Sequence, residues 1–126
     1  MLLIGTSGFS YDDWVGPVYP EGLPARDHLT YYAGLFPTVE LNVTYYRVPA
    51  LSTVTGWVRK TPDSFLFSVK AFGEITHQRE DPPFAAFVSA LAPLIESGRL
   101  GAILAQFPYS FHPTPENTDY LRRLRG

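Results

Sequence analysis

The sequence contains no cysteine, and this absence narrows the chemistry open to the protein. Without thiols the chain forms neither disulfides nor thiolate metal sites, and a reducing compartment is compatible with its composition. No His, Asp and Glu residues show the spacing of metal ligands, so no metal site is predicted. The sequence also assigns no cofactor, which therefore stays unknown at this stage.

An excess of basic residues and long apolar runs are missing as well. Ten Lys and Arg residues against 12 Asp and Glu residues give a formal net charge of −2, which predicts neither a nucleic-acid nor a membrane partner. The one basic cluster, Arg122–Arg125, is expected to offset the dipole at a helix end. No basic segment precedes the apolar start Met1–Ile4, so no signal peptide is predicted. We expect a cytoplasmic protein.

The rest of the composition is that of a folded domain. Hydrophobic residues make up 45% of the chain and charged residues 17%, which is typical of globular proteins. The 12 prolines fall mainly between apolar runs, where they mark turns and loops. A length of 126 residues predicts one domain.

Apolar patterns with periods of two and of three to four residues alternate along the chain. The predicted strands are Leu2–Thr6, Thr38–Asn42, Phe65–Lys70 and Leu100–Phe107. The first two predicted helices are Asp27–Phe36 and Ser52–Lys60, with Asp27 and Ser52 as their caps. A third runs from Pro82 to Gly98, and Pro93 is expected to kink or split it. A fourth begins at Thr114 and Pro115. Strands that alternate with helices predict a parallel sheet with right-handed crossovers.

The second and third strands distinguish a closed barrel from an open sheet. Their apolar residues alternate with polar ones such as Glu40, Ser68 and Lys70, which helices would cover in an open doubly wound sheet. In a barrel these polar residues face the interior. The sequence therefore predicts an α/β fold of the (β/α) TIM-barrel type. A complete barrel takes about 250 residues, so we expect residues 1–126 to form a single incomplete barrel domain, truncated before its second half.

Several sequence blocks stand out along the chain. They are Gly5–Tyr11, Trp14 to Pro20, Val39–Asn42, Thr44–Arg47, Phe67–Lys70, Ile75–His77 and Gln106–Pro108. Together, in this order, they resemble the DUF72 family, the YecE-like proteins. The resemblance implies a TIM-barrel-like fold. It implies no substrate, cofactor or catalytic residue, because the family is named for lacking an assigned function. It also implies that family members continue into a second half with further polar motifs.

The candidate site residues lie at the carboxyl-terminal ends of the predicted strands, where the loops of a barrel build active sites. The candidate ligand-binding residues are Thr6, Ser7, Tyr11, Trp14, Asn42, Tyr46, Arg47 and Gln106; the candidate catalytic residues are Glu40, Lys70 and His77. Glu40 and Lys70 each alternate with the apolar residues of their strands, so both side chains are expected to point into the barrel. They are either an acid–base pair or an ion pair that neutralises buried charge. His77 is a proton shuttle or a solvated loop residue. His28 and His112 are expected at the surface or in caps.

Three hypotheses about function follow. The first is an enzyme that acts on a small polar metabolite through Glu40, Lys70 and His77. The second is a non-catalytic module in which the aromatic loop and Arg47 hold an anionic or carbohydrate ligand. The third is an inactive incomplete barrel whose open edges lead to self-association.

Overall fold

The computed structural model describes all residues, 1–126, and contains one parallel sheet of four strands. These are β1 (Thr6–Ser7), β2 (Thr38–Leu41), β3 (Leu66–Lys70) and β4 (Leu100–Leu104). They lie in the order β1-β2-β3-β4, so each strand pairs with the strand before it in the chain. This order is that of the first half of a (β/α) barrel, and it confirms the predicted fold class.

Helices occupy the connections between the strands and follow the last one. They are α1 (His28–Ala33), α2 (Val43–Tyr46), α3 (Leu51–Arg59), α4 (Phe84–Ala90), α5 (Ala92–Glu96) and α6 (Pro115–Arg125). Short 3₁₀ turns cover Asp12–Trp14 and Ala25–Asp27, and a π-helical turn covers Glu74–Gln78. No helix is both long enough and apolar enough to cross a bilayer.

The core lies between the helices and one face of the sheet. On β2 and β3 every second residue is buried, as the alternating pattern predicts, and Val39, Phe67 and Val69 are almost fully shielded from solvent. They pack against apolar residues from the helices, among them Trp57 of α3 and Leu94 of α5. The opposite face carries the polar residues of β2 and β3 and stays half-buried.

The predicted ends of the first and last strands were wrong. β1 begins at Thr6, and the apolar residues Leu2 and Ile4 are 84% and 65% exposed because no strand lies on the far side of β1. β4 ends at Leu104 instead of Phe107. The glycine at position 5 is required by close approach, since a Cβ atom there would lie 2.0 Å from the carbonyl oxygen of Thr38.

The predicted helix boundaries were right in part. Asp27 occupies the position before α1 as predicted, but its side chain makes no capping hydrogen bond. Ser52 lies inside α3, which begins at Leu51. Thr114 does cap α6, because its hydroxyl accepts a hydrogen bond from the Asn117 amide at 3.1 Å. Pro93 splits the third predicted helix into α4 and α5, and this confirms the expected interruption.

Candidate functional site

The uncovered inner face of the sheet carries one row of residues across all four strands. The register aligns Ser7 with Glu40, Glu40 with Ser68, and Ser68 with Ala102. Because side chains alternate along a strand, all four lie on the face away from the helices. Glu40 is the charged member of the row and borders an open cavity of about 230 Å³ with Ser7 and Ser68.

A chain of hydrogen bonds orients the Glu40 carboxylate. The Ser7 hydroxyl donates to Glu40 Oε1 at 3.1 Å, and the Asn42 amide Nδ2 donates to the Ser7 hydroxyl oxygen at 2.5 Å. The carboxyl-terminal ends of β1 and β2 thus bring together three of the predicted site residues. A carboxylate accepts several hydrogen bonds, so Glu40 keeps acceptor positions beyond the one that Ser7 occupies.

Lys70 lies on the same face but forms no ion pair with Glu40. The register opposes Glu40 with Ser68, and the two ion pairs of the structure are Arg99–Asp63 and Arg122–Asp119. The Lys70 ammonium instead lies 5.2 Å from the centroid of the Tyr45 ring, a cation–π contact. The alternative of two mutually neutralising charges is therefore not what the structure contains.

His77 joins Lys70 through the same aromatic ring. The His77 and Tyr45 rings meet edge to face with their centroids 5.2 Å apart, and His77 Nδ1 shares a 2.8 Å hydrogen bond with the Thr76 hydroxyl. The buried Thr44 hydroxyl donates to the Lys70 carbonyl oxygen at 2.6 Å and so ties α2 to the end of β3. The structure thus forms a second cluster of Lys70, Tyr45 and His77. Tyr45 is absent from the predicted site residues.

Two predicted ligand-binding residues pack in or beside the first loop, the segment between β1 and α1. The Thr6 hydroxyl contacts the Tyr32 hydroxyl at 2.8 Å and donates to the Gly8 carbonyl at 2.6 Å, so it lies on the helix side of the sheet. Trp14 stacks on the Tyr32 ring with a 12° angle between the planes. Trp14 packs against the core, and Thr6 borders the cavity at Glu40 although its hydroxyl points to the helix side.

The other predicted ligand-binding residues lie around the rim. The Tyr11 hydroxyl donates to the Ser7 carbonyl and so folds the first loop over the end of β1. Tyr46 and Gln106 are exposed. Arg47 is exposed and borders a separate cleft of about 330 Å³.

A cavity of about 410 Å³ lies near the ends of β1 and β2. One residue of its wall forms a side-chain hydrogen bond with a histidine that the sequence did not reveal. That residue is Ser10, whose hydroxyl lies 2.9 Å from His28 Nδ1. The expected surface position of His28 was wrong, since the residue is 6% exposed and its ring stacks on Tyr19 at 4.2 Å. The expected capping role is confirmed, because His28 is the C-cap residue of the 3₁₀ turn Ala25–Asp27. No local pattern links Ser10 to a histidine 18 residues away, so only the folded loop reveals the pair.

Comparison with known sequences gives a consistent result. A sequence model of the family described as "Protein of unknown function DUF72" matches residues 3–126. UPF0759 protein YunF of Bacillus subtilis (strain 168) is 35% identical over 130 residues, an alignment that covers 97% of this chain and 45% of that protein.

Solved structures agree with the sequence comparison. A DUF72 family protein from Thermotoga maritima MSB8 is 44% identical, with a TM-score of 0.84 over 99% of this chain and 51% of that chain. A DUF72 family protein from Enterococcus faecalis V583 is 31% identical, with a TM-score of 0.83 over 99% of this chain and 46% of that chain. The chain therefore spans about half the length of the relatives that it matches.

Proposed function

Because the chain belongs to the DUF72 family, a family of unknown function, we propose a function from the geometry of its site. The protein is an enzyme that acts on a small polar metabolite at the carboxyl-terminal ends of the strands. Glu40 serves as general acid or base, Lys70 stabilises developing negative charge, and His77 moves protons at the rim.

One observation supports this proposal above the others: the Glu40 carboxylate borders the open cavity on the inner face of the sheet and has no cation beside it. Its hydrogen bond comes from the Ser7 hydroxyl, and no Lys, Arg or His nitrogen lies within 4.0 Å. That hydrogen bond is exposed, so the carboxylate stays accessible from the cavity. A substrate that enters the cavity would complete the contacts of the carboxylate.

Lys70 and His77 complete the proposed machinery. Lys70 shares the inner face with Glu40, and the Tyr45 ring leaves its ammonium hydrogens free to donate to a substrate oxygen. His77 is exposed and meets the Tyr45 ring edge to face, so it can exchange protons with water. Glu40 lies on β2, whereas Lys70 ends β3 and His77 lies in the turn after it, so the three groups come from two neighbouring strands.

The test begins with a thermal-shift screen of sugar phosphates, amino acids and hydroxy acids, followed by turnover assays of the compounds that bind. We expect Glu40→Gln to abolish turnover while the melting temperature stays near that of the wild type, because the Gln amide oxygen still accepts from Ser7. Glu96→Gln, an exposed position at the end of α5, is the matched control and should keep full activity. Undiminished turnover in Glu40→Gln would remove Glu40 from the mechanism.

A second candidate is a non-catalytic module for an anionic or carbohydrate ligand. Its support is that the Arg47 cleft and the cavity bordered by Tyr11 share Val43, Thr53 and Trp57 in their walls. A ligand lying across both would contact an arginine and an aromatic ring. This function predicts saturable binding that Arg47→Ala weakens and Glu40→Gln leaves unchanged. The cytoplasmic location stays part of the proposal, and cell fractionation checks it.

A further inference from the structure

A polar groove of about 310 Å³ lies between the loop that follows β3 and the helix α6, apart from the site described above. Arg79 and Glu80 border it from the loop, and Glu116, Tyr120 and Arg123 border it from the helix. Tyr120 is buried, and its hydroxyl donates to the Ile75 carbonyl, which fixes this face of α6 against the loop.

Arg79 occupies a backbone conformation that glycine normally takes. Its φ of 62° lies in the left-handed region and ends the π-helical turn Glu74–Gln78. The side chain makes two contacts: the guanidinium carbon lies 4.7 Å from the centroid of the Phe111 ring, and Nη1 donates a long hydrogen bond to Asn117 Oδ1 at 3.5 Å. The arginine is therefore held with its guanidinium at the groove, and no carboxylate lies within 4.0 Å of it.

Arg123 brings a second guanidinium to the same groove. Its guanidinium carbon lies 5.5 Å from the centroid of the Tyr120 ring, and it too has no carboxylate within 4.0 Å. The neighbouring Arg122 behaves differently, because it pairs with Asp119 at 2.7 Å and does not border the groove. Of the basic cluster at the end of the sequence, Arg123 is thus the member that turns toward this groove.

The groove also contains two negative charges. Glu80 and Glu116 are exposed, and neither forms an ion pair with Arg79 or Arg123. Two guanidinium groups and two carboxylates give the groove no net charge, so a simple anion or cation meets as much repulsion as attraction. A ligand that carries both charges meets favourable partners for each.

We propose that this groove binds a small zwitterion of the amino-acid class. The ligand carboxylate accepts hydrogen bonds from Arg79 and Arg123, whose planar guanidinium groups match a carboxylate in geometry. The ligand ammonium lies against Glu80 and Glu116. The groove is a binding site separate from Glu40, and its occupancy does not depend on the proposed catalysis.

The experiment is a titration of the ¹⁵N-labelled chain, followed by amide chemical shifts, with glycine, β-alanine and 4-aminobutyrate. Acetate and methylammonium carry one charge each and are the reference ligands. We expect at least one zwitterion to shift the amides of Arg79, Asn117 and Arg123 with an affinity at least tenfold higher than that of acetate or methylammonium. The three zwitterions differ in the distance between their ammonium and carboxylate groups. The one that binds most tightly identifies the distance between the positive and negative partners in the groove.

Two substitutions on the same helix make the test specific. Arg123→Ala should weaken zwitterion binding at least tenfold, whereas Arg122→Ala removes the same charge from the next position and should leave it unchanged. Circular dichroism confirms that both variants keep their helix content. Equal binding of acetate and the zwitterions, equal effects of the two substitutions, or no saturable shift at these amides would each overturn the proposal.

Discussion

Tyr19 lies at the centre of the aromatic packing that orders the first loop. It is completely buried, its hydroxyl donates to the Phe9 carbonyl, and its ring stacks on His28. Burial, together with the nearby Tyr32 hydroxyl, raises the pKa of Tyr19 from 10.0 to about 12. The phenol that anchors the loop therefore keeps its proton in the folded chain at a pH where an exposed tyrosine loses it.

This raised pKa predicts that the protein loses stability in alkali. Below pH 10 the phenol is protonated in both the folded and the unfolded chain. Between pH 10 and 12 the unfolded chain releases the proton that the folded chain keeps. The free energy of unfolding therefore falls over this range. Urea unfolding at pH 9 and about pH 11 measures the decline. Tyr19→Phe should make the decline shallower, whereas Tyr109→Phe, at a 98% exposed residue, should not change it. Identical declines in all three proteins would contradict the assignment.

At the scale of elements, Arg99 ties the start of β4 to the turn before β3. The residue is 7% exposed, and its guanidinium donates to the carbonyl oxygens of Thr61 and Pro62, both at 3.2 Å, and to Asp63 Oδ1 at 2.9 Å. Two of its three partners are backbone atoms, so the contacts fix the path of the turn as well as neutralising charge. The Asp63 side chain is fully exposed, and its part of the interaction is screened by water.

We expect Arg99→Met to lower the free energy of unfolding by about 2–3 kcal/mol, because hydrogen bonds from a buried charged group are lost. Asp63→Asn should change stability little, since water solvates the exposed carboxylate in the wild type. Urea unfolding of the two variants at neutral pH compares these effects. A loss in Asp63→Asn as large as that in Arg99→Met would show that the ion pair, and not the backbone contacts, holds the turn.

The central strands were predictable from the sequence nearly to the residue, whereas the outer ones were predictable in order but not in extent. Val39 and Leu41 alternate with Thr38 and Glu40, and a period of two is a local property that any half-buried strand displays. The extent of a strand at the sheet edge depends instead on its neighbours. The apolar run that begins at Leu2 predicts a buried strand. Its residues stay exposed, because no strand lies on the far side of β1 to cover them.

The candidate site shows the same division between local and non-local information. The alternation of apolar and polar residues along β2 predicted that Glu40 lies on the inner face. The order of the strands predicted that the end of β1, with Ser7, lies beside it. The stagger between β2 and β3 is not encoded in either strand alone, and it sets Glu40 opposite Ser68 and not opposite Lys70. Contacts such as that of Tyr45 with His77 depend on how two loops fold together, which no spacing in the sequence specifies.

At the scale of the whole molecule, the sheet has two unpaired edges and an uncovered inner face. β1 pairs with β2 alone and β4 with β3 alone, and the half-exposed apolar residues Ile103 and Leu104 lie on the β4 edge. Closed barrels remove such edges by pairing the last strand with the first. The described residues span about half the length of their relatives, so the edges of this chain are where further strands of a barrel would pair.

We therefore expect the 126-residue chain to self-associate in solution, with the β4 edge of one copy beside the β1 edge of another. Sedimentation velocity across a wide range of concentrations should show a mass that rises reversibly toward a dimer. Leu104→Lys places a charge at the β4 edge, where strand pairing would bury it, and should shift the equilibrium toward the monomer. Leu51→Lys, at a 60% exposed position on α3, adds the same charge away from both edges and should leave association unchanged. A wild-type chain that stays monomeric at every concentration, or two variants that dissociate equally, would mean that the edges do not drive association.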